Sequence, residues 1–374
     1  MQIAACYIVK NEAEELDRSI QSLQNAIDEL VVVDTGSEDA TVEIAKSYNA
    51  RILSFPWQDH FAKARNFALE HVESPWIIFL DADEFFRHPK EVRPTIYEEL
   101  GKTANLDAIM LTRYNMESGS LRTDIPYDIS LRILRNAPEL RYHGRIHELL
   151  KKTKGPLNLS YADERLSLNH TGYSSAHISA KIQRNLALLQ RDIEENGKSP
   201  AHDHYLSECY FGLHDYKKAL AHATQALDTG LLLIGSQGSL YHIAIESMRQ
   251  LDMPLQDMLA LTHAAIRELP ELPEFYAEQG MVLCAMGRLG EAAEMLAKAM
   301  EIFDSTEINH RQSSYFTKEA AAIACKRLGE IAQIRGSIDS AAHWFQRALQ
   351  LDGRNSEIQS LCRSFRKKYP QYRL

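Results

Sequence analysis

The stretch Trp76-Ile77-Ile78-Phe79-Leu80-Asp81-Ala82-Asp83-Glu84 joins five apolar residues directly to a segment with three carboxylates. An uninterrupted apolar run of this length is typical of a strand that is buried on both faces. In an open α/β sheet, ligands bind beyond the carboxyl ends of the strands, where two nearby carboxylates can share a divalent cation with a diphosphate. An acidic turn that leads into the next helix is the alternative interpretation.

Three similar apolar runs precede this stretch. They predict strands from Ile3 to Val9, from Leu30 to Val33 and from Ala50 to Phe55, with helical segments between them. Strands that alternate with helices at this spacing indicate a largely parallel, doubly wound α/β sheet. The polar residues that follow each strand are therefore expected to lie along one rim of the sheet.

Four blocks of the first 85 or so residues resemble family 2 glycosyltransferases, in that family's order and spacing. They are Tyr7-Ile8-Val9-Lys10-Asn11-Glu12, Val31-Val32-Val33-Asp34-Thr35-Gly36-Ser37 with Asp39 and Thr41, Ala64-Arg65-Asn66, and Leu80-Asp81-Ala82-Asp83. As a set, the blocks are far more specific than any one of them. The resemblance implies a nucleotide-diphosphosugar-binding fold of the GT-A type and a divalent metal, Mn²⁺ or Mg²⁺.

The resemblance also implies roles for the residues at the strand ends. Asp34 is expected to hold the uracil or the ribose, and Lys10 and Glu12 to line the nucleotide pocket. Asp81 and Asp83 are expected to hold nucleotide and metal, with Asp83 the stronger candidate for direct coordination. This chemistry suits the reaction, because a cation that bridges diphosphate oxygens stabilises the charge that develops as the sugar to phosphate bond breaks.

Further candidates lie on a predicted helix and at the end of the sheet region. The helix from Phe61 to His71 carries Lys63, Arg65 and Asn66, which are candidates for donor binding, and the resemblance places Arg65 near the sugar or the diphosphate. Relatives with the GT-A fold commonly supply a histidine as a metal ligand after the last strands, and here His170 stands in that position. Imidazole is an acceptable ligand for Mn²⁺.

Direct displacement also needs a base within hydrogen-bond reach of the acceptor's proton. The resemblance implies that Glu148 is this base, because it follows a glycine-containing loop in the segment from Tyr142. That segment is similar to the Arg-x-His-Glu segment of some lipopolysaccharide-core enzymes and of bacteriocin S-glycosyltransferases. The alternative is an exposed glutamate that pairs with Arg145 or Lys151. His147 could orient the base or be structural.

Two more strands are predicted, from Ala108 to Tyr114 and from Ser130 to Arg135. The family binds its acceptor in this region, so Tyr114, Tyr127 and Arg132 are candidates for the acceptor surface. An alternation of Arg and Leu is equally typical of a half-buried strand.

From about residue 175 the sequence changes to helical periodicity that is rich in Ala and Leu. The pattern resembles tetratricopeptide repeats, whose period is about 34 residues, and a generic helical bundle is the alternative. We therefore predict a GT-A domain at residues 1–175, which would contain the whole donor site, and a repeat domain at residues 176–374. Stacked repeats commonly form a groove that holds peptides, or they could serve as the surface of a homodimer.

Composition restricts the class of protein. The chain has 374 residues, of which 45% are hydrophobic, and a formal charge of −9, which argues against a general nucleic-acid binder. Its five cysteines are scattered and odd in number, as expected in a reducing cytoplasm. The sequence shows no secretory signal and no apolar run long enough to span a membrane.

The sequence thus favours a metal-dependent, inverting, bacterial-type glycosyltransferase that uses UDP-glucose or UDP-N-acetylglucosamine. The repeats favour a peptide or protein acceptor, and a lipopolysaccharide or another glycan is the alternative. A sugar nucleotidyltransferase would need a Gly-rich basic loop after the first strand, which Val9-Lys10-Asn11-Glu12 does not provide. An inactive domain that binds nucleotide and serves as a scaffold is the remaining alternative.

Overall fold

The computed structural model describes the chain except residues 24, 117–126, 172–177, 231–236, 306–315 and 373–374. The chain forms two compact units, Met1–His214 and Asp215–Leu374. The first is a mixed α/β unit and the second consists of helices, which confirms the predicted fold class. The predicted domain boundary at residue 175 lies outside the described residues and stays a prediction.

Among the described residues, eleven strands belong to the first unit. They are β1 Ile3–Val9, β2 Glu29–Asp34, β3 Arg51–Ser54, β4 Trp76–Leu80, β5 Glu84–Phe86, β6 Ala108–Asn115, β7 Tyr127–Arg135, β8 Leu140–His143, β9 Leu149–Lys152, β10 Leu159–Tyr161 and β11 Leu168–His170. Nine of them form one sheet in the order β3-β2-β1-β4-β7-β6-β11-β5, with β10 paired to β6, and β8 pairs with β9 in a separate hairpin.

The large sheet is parallel in its first half and mixed in its second half. Strands β3, β2, β1 and β4 run parallel, as the sequence predicts. Strand β7 runs antiparallel to both of its neighbours, and β5 runs antiparallel to β11.

Helices cover both faces of the sheet. The helices of the first unit are α1 Leu16–Gln21, α2 Thr41–Ser47, α3 Phe61–His71, α4 Val92–Lys102, α5 Ile178–Asn196 and α6 Pro200–Gly212. Alternate residues of β1 enter opposite cores: Tyr7 packs in the core with Leu16 and Ile96, and Cys6 packs in the core with Ala64. Because β1 is buried on both faces, its run of apolar residues is the pattern expected of a central parallel strand.

The second unit is built from helices that pack on their neighbours in the chain, in a tetratricopeptide-like arrangement. Its helices are α7 Tyr216–Asp228, α8 Gln237–Gln250, α9 Leu255–Glu268, α10 Pro273–Ala285, α11 Leu289–Asp304, α12 Lys318–Ile334, α13 Ile338–Leu351 and α14 Ser356–Lys368. Glycines lie where paired helices meet. A Cβ on Gly280 would lie 2.6 Å from Cγ of Leu296, and one on Gly329 would lie 2.4 Å from Cε1 of Phe345.

Among the residues that the structure describes, every helix is too short or too polar to cross a membrane.

Candidate active site

Three strand ends meet at one rim of the sheet. Strand β1 lies between β2 and β4, with Val9 opposite Asp34 and Tyr7 opposite Leu80. Because the three strands are parallel, the segments that follow them leave the sheet at the same edge. The convergence predicted from the sequence is therefore present.

Hydrogen bonds join the segments that follow β1 and β2. The amide of Asn11 donates to the hydroxyl of Ser37 over 3.0 Å, and its side-chain oxygen accepts from the amide of Glu38 over 2.8 Å. The amide of Glu12 donates to the hydroxyl of Thr41 over 2.8 Å. These bonds hold the two loops together, so the Lys10 to Glu12 segment and the Asp34 turn form one wall of the rim.

The carboxylate of Asp34 is oriented by the turn that follows it. It accepts hydrogen bonds from the amides of Gly36 at 3.3 Å and Ser37 at 3.0 Å. Gly36 has a φ of 107°, in the left-handed region that favours glycine. Lys10 is exposed beside this turn. Asp34 and Lys10 thus lie at the rim, where the resemblance places nucleotide contacts.

Glu12 is half-buried and feels the charge of other carboxylates. Burial raises the pKa of Glu12 to about 7, and the nearby negative charges of Asp83 and Asp81 add to the shift. The negative charges of Asp83 and Asp81 therefore disfavour the ionised form of Glu12. A positive charge placed among them would relieve this repulsion.

Arg65 connects the proposed base to the strand end. Its guanidinium is buried, donates through Nε to Glu148, and lies 3.4 Å from Oδ1 of Asp81 through Nη2. Helix α3 supplies Arg65 and the connection between β8 and β9 supplies Glu148. Residues that are far apart in the sequence thus meet in one ion-pair network. Its members Arg65, Asp81 and Glu148 were all predicted as site residues.

A second arginine completes the surroundings of Asp81. Nη2 of Arg132 lies 2.7 Å from Oδ2 of Asp81 and 2.6 Å from Oε1 of Glu84. Burial by itself would raise the pKa of Asp81, but the guanidinium groups of Arg132 and Arg65 outweigh it and lower that pKa. Asp81 is therefore an anion that two protein cations already neutralise.

The sequence interpretation missed part of this network. Glu84 is fully buried, and Arg113 binds it through Nη1 at 2.8 Å while also pairing with Asp128. Arg132, an acceptor candidate, instead reaches Asp81 and Glu84. A third carboxylate directly after a buried strand was the available signal, since a buried acid needs a cationic partner.

Asp83 pairs with a histidine. Oδ2 of Asp83 lies 3.2 Å from Nε2 of His170, whose Nδ1 lies 3.0 Å from Oδ1 of Asn115. The backbone oxygen of Asp83 also accepts from the amide of Thr171 over 3.0 Å. Strand β11 brings His170 here, because it pairs with β5 and β6 and sets His170 opposite Glu84 and Asn115.

The Asp83 and His170 side chains fit a divalent cation. A carboxylate oxygen with an imidazole nitrogen is a donor set that suits Mn²⁺ better than Mg²⁺, and Asn115 fixes the ring as outer partners of metal-bound histidines do. Among the described residues, the structure contains no group of three or more ligating side chains. A cation held by this pair would have coordination positions left for phosphate oxygens.

The structure places the remaining candidate residues in other contacts. Both polar atoms of the Asn66 amide bond the backbone of Tyr142, each over 2.9 Å, so Asn66 supports strand β8. Lys63 is exposed on α3. The hydroxyl of Tyr114 donates to Glu164 over 2.7 Å. The side chain of Tyr127, the other acceptor candidate, lies outside the described residues.

The first part of the chain matches a family model. The model, described as glycosyl transferase family 2, covers residues 5–151. This range includes the three strand ends, Arg65 and Glu148, and it stops before His170 and helices α5 and α6.

Known proteins resemble longer parts of the chain. A TPR repeat-containing protein of Synechococcus elongatus is 31% identical over 268 residues, which cover 67% of this chain and 63% of that protein. The glycosyltransferase SunS of Bacillus subtilis is 25% identical over 197 residues, which cover 52% of this chain and 45% of SunS. The chain thus spans less than two thirds of the length of these relatives.

Among solved structures, YrrB, described as a TPR protein with an unusual peptide-binding site, is similar to half of the chain. The TM-score is 0.39 at 17% identity, over 50% of this chain and 88% of YrrB.

Proposed function

We propose that this chain, which joins a glycosyl transferase family 2 domain at residues 5–151 to tetratricopeptide-like helices, transfers a sugar from a UDP-sugar donor to a peptide or protein. The observation that carries the proposal is the arrangement at the rim. Asp83 follows β4, whose end lies at the rim where ligands bind in open α/β sheets, and its carboxylate meets the imidazole of His170, while Arg65 joins Glu148 to Asp81.

On the donor side, Asp83 and His170 would hold Mn²⁺, which neutralises charge on the departing diphosphate when it is bound. Asp34 and the Lys10 to Glu12 segment would line the nucleoside. The turn amides of Gly36 and Ser37 already fix the Asp34 carboxylate, so it needs little reorganisation to accept a hydrogen bond from a ligand.

On the acceptor side, Glu148 would take the proton of the attacking group as that group bonds to the anomeric carbon and UDP leaves. The base and the leaving group then lie on opposite sides of the sugar, which gives inversion. Arg65 holds Glu148 in one place, because its guanidinium is itself anchored to Asp81. A positioned general base typically increases the rate by roughly 10²- to 10⁴-fold.

The preference for a peptide or protein acceptor derives from the second unit. Stacked helix pairs present extended surfaces that suit peptides, and a relative of 31% identity is also a repeat-containing protein. A lipopolysaccharide or another glycan is the competing acceptor. The donor sugar is proposed as glucose or N-acetylglucosamine.

The test is hydrolysis of a panel of UDP-sugars by the purified full chain, with Mn²⁺, with Mg²⁺ and with EDTA. We expect release of UDP from one or two donors in Mn²⁺ and background rates in EDTA. UDP binding without turnover of any donor would favour the inactive scaffold. Mass spectrometry of peptides and glycans from the native host, after incubation with the active donor, then separates the two acceptor classes.

A further inference from the structure

The loop at residues 144–148, which connects β8 to β9, has an unusual backbone. Gly144 has a φ of 103° and His147 has a φ of 50°. Residues other than glycine rarely adopt the left-handed region, and such a conformation persists where the surrounding structure holds it. Because Glu148 directly follows His147, whatever holds His147 also sets the direction of the Glu148 side chain.

The first anchor of this loop is Arg145. Its backbone oxygen accepts from the amide of Phe61 over 2.8 Å, and its Nη1 donates to the backbone oxygen of Asp59 over 2.8 Å. Its Nη2 forms an ion pair with Glu195 of helix α5. The Arg145 side chain is buried, whereas that of Glu195 is exposed. One end of the loop is thus fixed to the start of α3 and to α5.

The second anchor is Ile146, which is 8% exposed. It packs in an apolar cluster with Leu188 and Leu189 of α5 and with Leu206 and Cys209 of α6. The middle of the loop is therefore seated on two helices that lie outside the part of the chain matched by the family model.

The third anchor is the ring of His147, which stacks on the ring of Tyr205. The centroids are 3.9 Å apart and the planes differ by 5°. The ring of His204 contacts the ring of Tyr205 edge to face, with 5.0 Å between the ring centroids. Nε2 of His204 in turn lies 3.2 Å from Oε1 of Glu208. Helix α6 thus supplies a fixed flat surface for the residue before Glu148.

We propose that helices α5 and α6 are part of the catalytic machinery, and that Tyr205 is a positioning residue that acts through His147 on Glu148. The stack fixes the left-handed backbone of His147, and this backbone directs the Glu148 carboxylate towards Arg65. The inference rests on the proposed function in taking Glu148 as the base. A displacement of about 1 Å in a catalytic group can cost roughly 100-fold in rate.

The test compares Tyr205→Ala with Tyr205→Phe in the full chain. Tyr205→Ala removes the stacked ring, and we expect kcat for donor turnover to fall about 10- to 100-fold while KM for the donor stays within about twofold. Tyr205→Phe keeps the ring and should restore kcat to within about twofold of the parent. A role limited to folding would lower the amount of active protein and leave the kcat of the folded fraction unchanged.

Tyr241→Leu is the matched control, since it removes a buried ring that packs edge to face on Phe275 in the second unit. It should lower thermal stability without changing donor kcat.

Hydrogen exchange adds a readout that does not depend on activity. The amides of residues 144–148 should exchange faster in Tyr205→Ala and at the parent rate in Tyr205→Phe.

The outcomes separate the two proposals. Parent kcat and parent exchange in Tyr205→Ala would overturn the positioning role, whatever the enzyme does. If Tyr205→Phe restores neither kcat nor the exchange rate of residues 144–148, the hydroxyl of Tyr205 and not its stacked ring holds the loop. This result too overturns the inference. A parent protein that turns over no nucleotide sugar contradicts the proposed function, whereas faster exchange of the loop in Tyr205→Ala would still show that Tyr205 holds it.

Discussion

Arg65 links the donor side of the site to the acceptor side. It is 7% exposed and pairs with both Asp81 and Glu148. A buried guanidinium that loses a partner is costly, so neither carboxylate can be removed without disturbing the other. Substitutions that test the two sides must therefore keep a hydrogen-bond acceptor in place.

The substitution Glu148→Gln meets this requirement. The amide oxygen can still accept from Arg65, but the side chain can no longer take a proton from the acceptor. We expect UDP affinity in Mn²⁺ to be unchanged and kcat to fall by roughly 10²- to 10⁴-fold. Glu139→Gln, at a half-exposed glutamate that pairs with Arg135, is the control and should keep parent kcat. Near-parent turnover of Glu148→Gln would assign the base to another group.

Asp83→Asn tests the donor side. It removes the charge of the proposed metal ligand at nearly constant volume, so the fold should persist while Mn²⁺-dependent UDP binding is lost. Calorimetric titration of UDP with Mn²⁺ and with EDTA measures the effect, and Asp163→Asn, at a half-exposed aspartate, is the control. If Asp83→Asn binds UDP as tightly as the parent in Mn²⁺, the metal assignment is wrong.

The raised pKa of Glu12 predicts a dependence of stability on pH. Its pKa moves from an ordinary value of 4.5 to about 7 on folding. Between these values the folded state holds a proton that the unfolded state has released, so this contribution to stability is full below pH 4.5 and is lost as the pH rises through 7.

Glu12→Gln removes this titration. In EDTA, its midpoint temperature relative to the parent should therefore be higher at pH 8 than at pH 5. Glu14→Gln, at an exposed neighbour, removes the same formal charge and should show a smaller difference between the two pH values. An equal effect of both substitutions at both pH values would contradict the raised pKa of the half-buried Glu12.

The candidate residues lie at strand ends as predicted, whereas the ion pairs that they form were not predicted. Asp34, Asp81 and Asp83 could be found because strand ends are local features of the sequence. The Asp83 to His170 contact depends on the pairing of two three-residue strands, β5 and β11, whose positions are set by the rest of the sheet. Strands this short carry too few residues for an alternating pattern to show.

At the scale of elements, the predicted bounds were accurate where the apolar pattern was long. Strand β1 and helix α3 begin and end at the predicted residues, and β2 extends the predicted strand by one residue at each end. Helices α5 and α6 were predicted to be helical, but not to pack on the loop at residues 144–148. That packing depends on contacts between residues about 40 to 65 positions apart, which helical periodicity does not encode.

The close helix contacts of the second unit give a prediction for one element pair. An added Cβ on Gly329 of α12 would lie 2.4 Å from the fully buried ring of Phe345 on α13. Gly329→Ala should therefore lower the free energy of unfolding by about 1 to 3 kcal/mol, the usual range for overpacking.

The control for this prediction is Gly290→Ala in α11. A Cβ there meets the far end of the flexible Arg335 side chain at 2.9 Å, which can move away, and alanine favours a helix more than glycine does. Its stability should equal or exceed that of the parent in urea unfolding. If the two variants unfold alike, the helices of the second unit are not held as closely as the Gly329 contact indicates.

For the whole molecule, the two compact units indicate where to divide the chain when the predicted separation of functions is tested. The sequence placed the entire donor site before residue 175. The compact unit that contains the site continues to His214, and its helices α5 and α6 contact the loop that carries the proposed base. A catalytic fragment should therefore include these two helices, and the second unit from Asp215 is the part whose role can be tested by removal.

Two truncated fragments test whether helices α5 and α6 are needed for catalysis. A fragment of residues 1–214 should fold and hydrolyse the donor within a few-fold of the parent rate, whereas residues 1–175 should aggregate or lose hydrolysis by more than about tenfold. The reason is that Ile146 and Phe61 lose their apolar neighbours Leu188, Leu189 and Leu206 in the shorter fragment. Both fragments are first tested for a monodisperse, folded state, and hydrolysis is then measured in Mn²⁺. Equal rates of hydrolysis in the two fragments would contradict a catalytic role for helices α5 and α6.

The 1–214 fragment also tests the role of the second unit. If the second unit presents the acceptor, this fragment should lose transfer to the native acceptor far more than it loses donor hydrolysis. Full transfer by this fragment would leave the repeats a dimerisation or structural role.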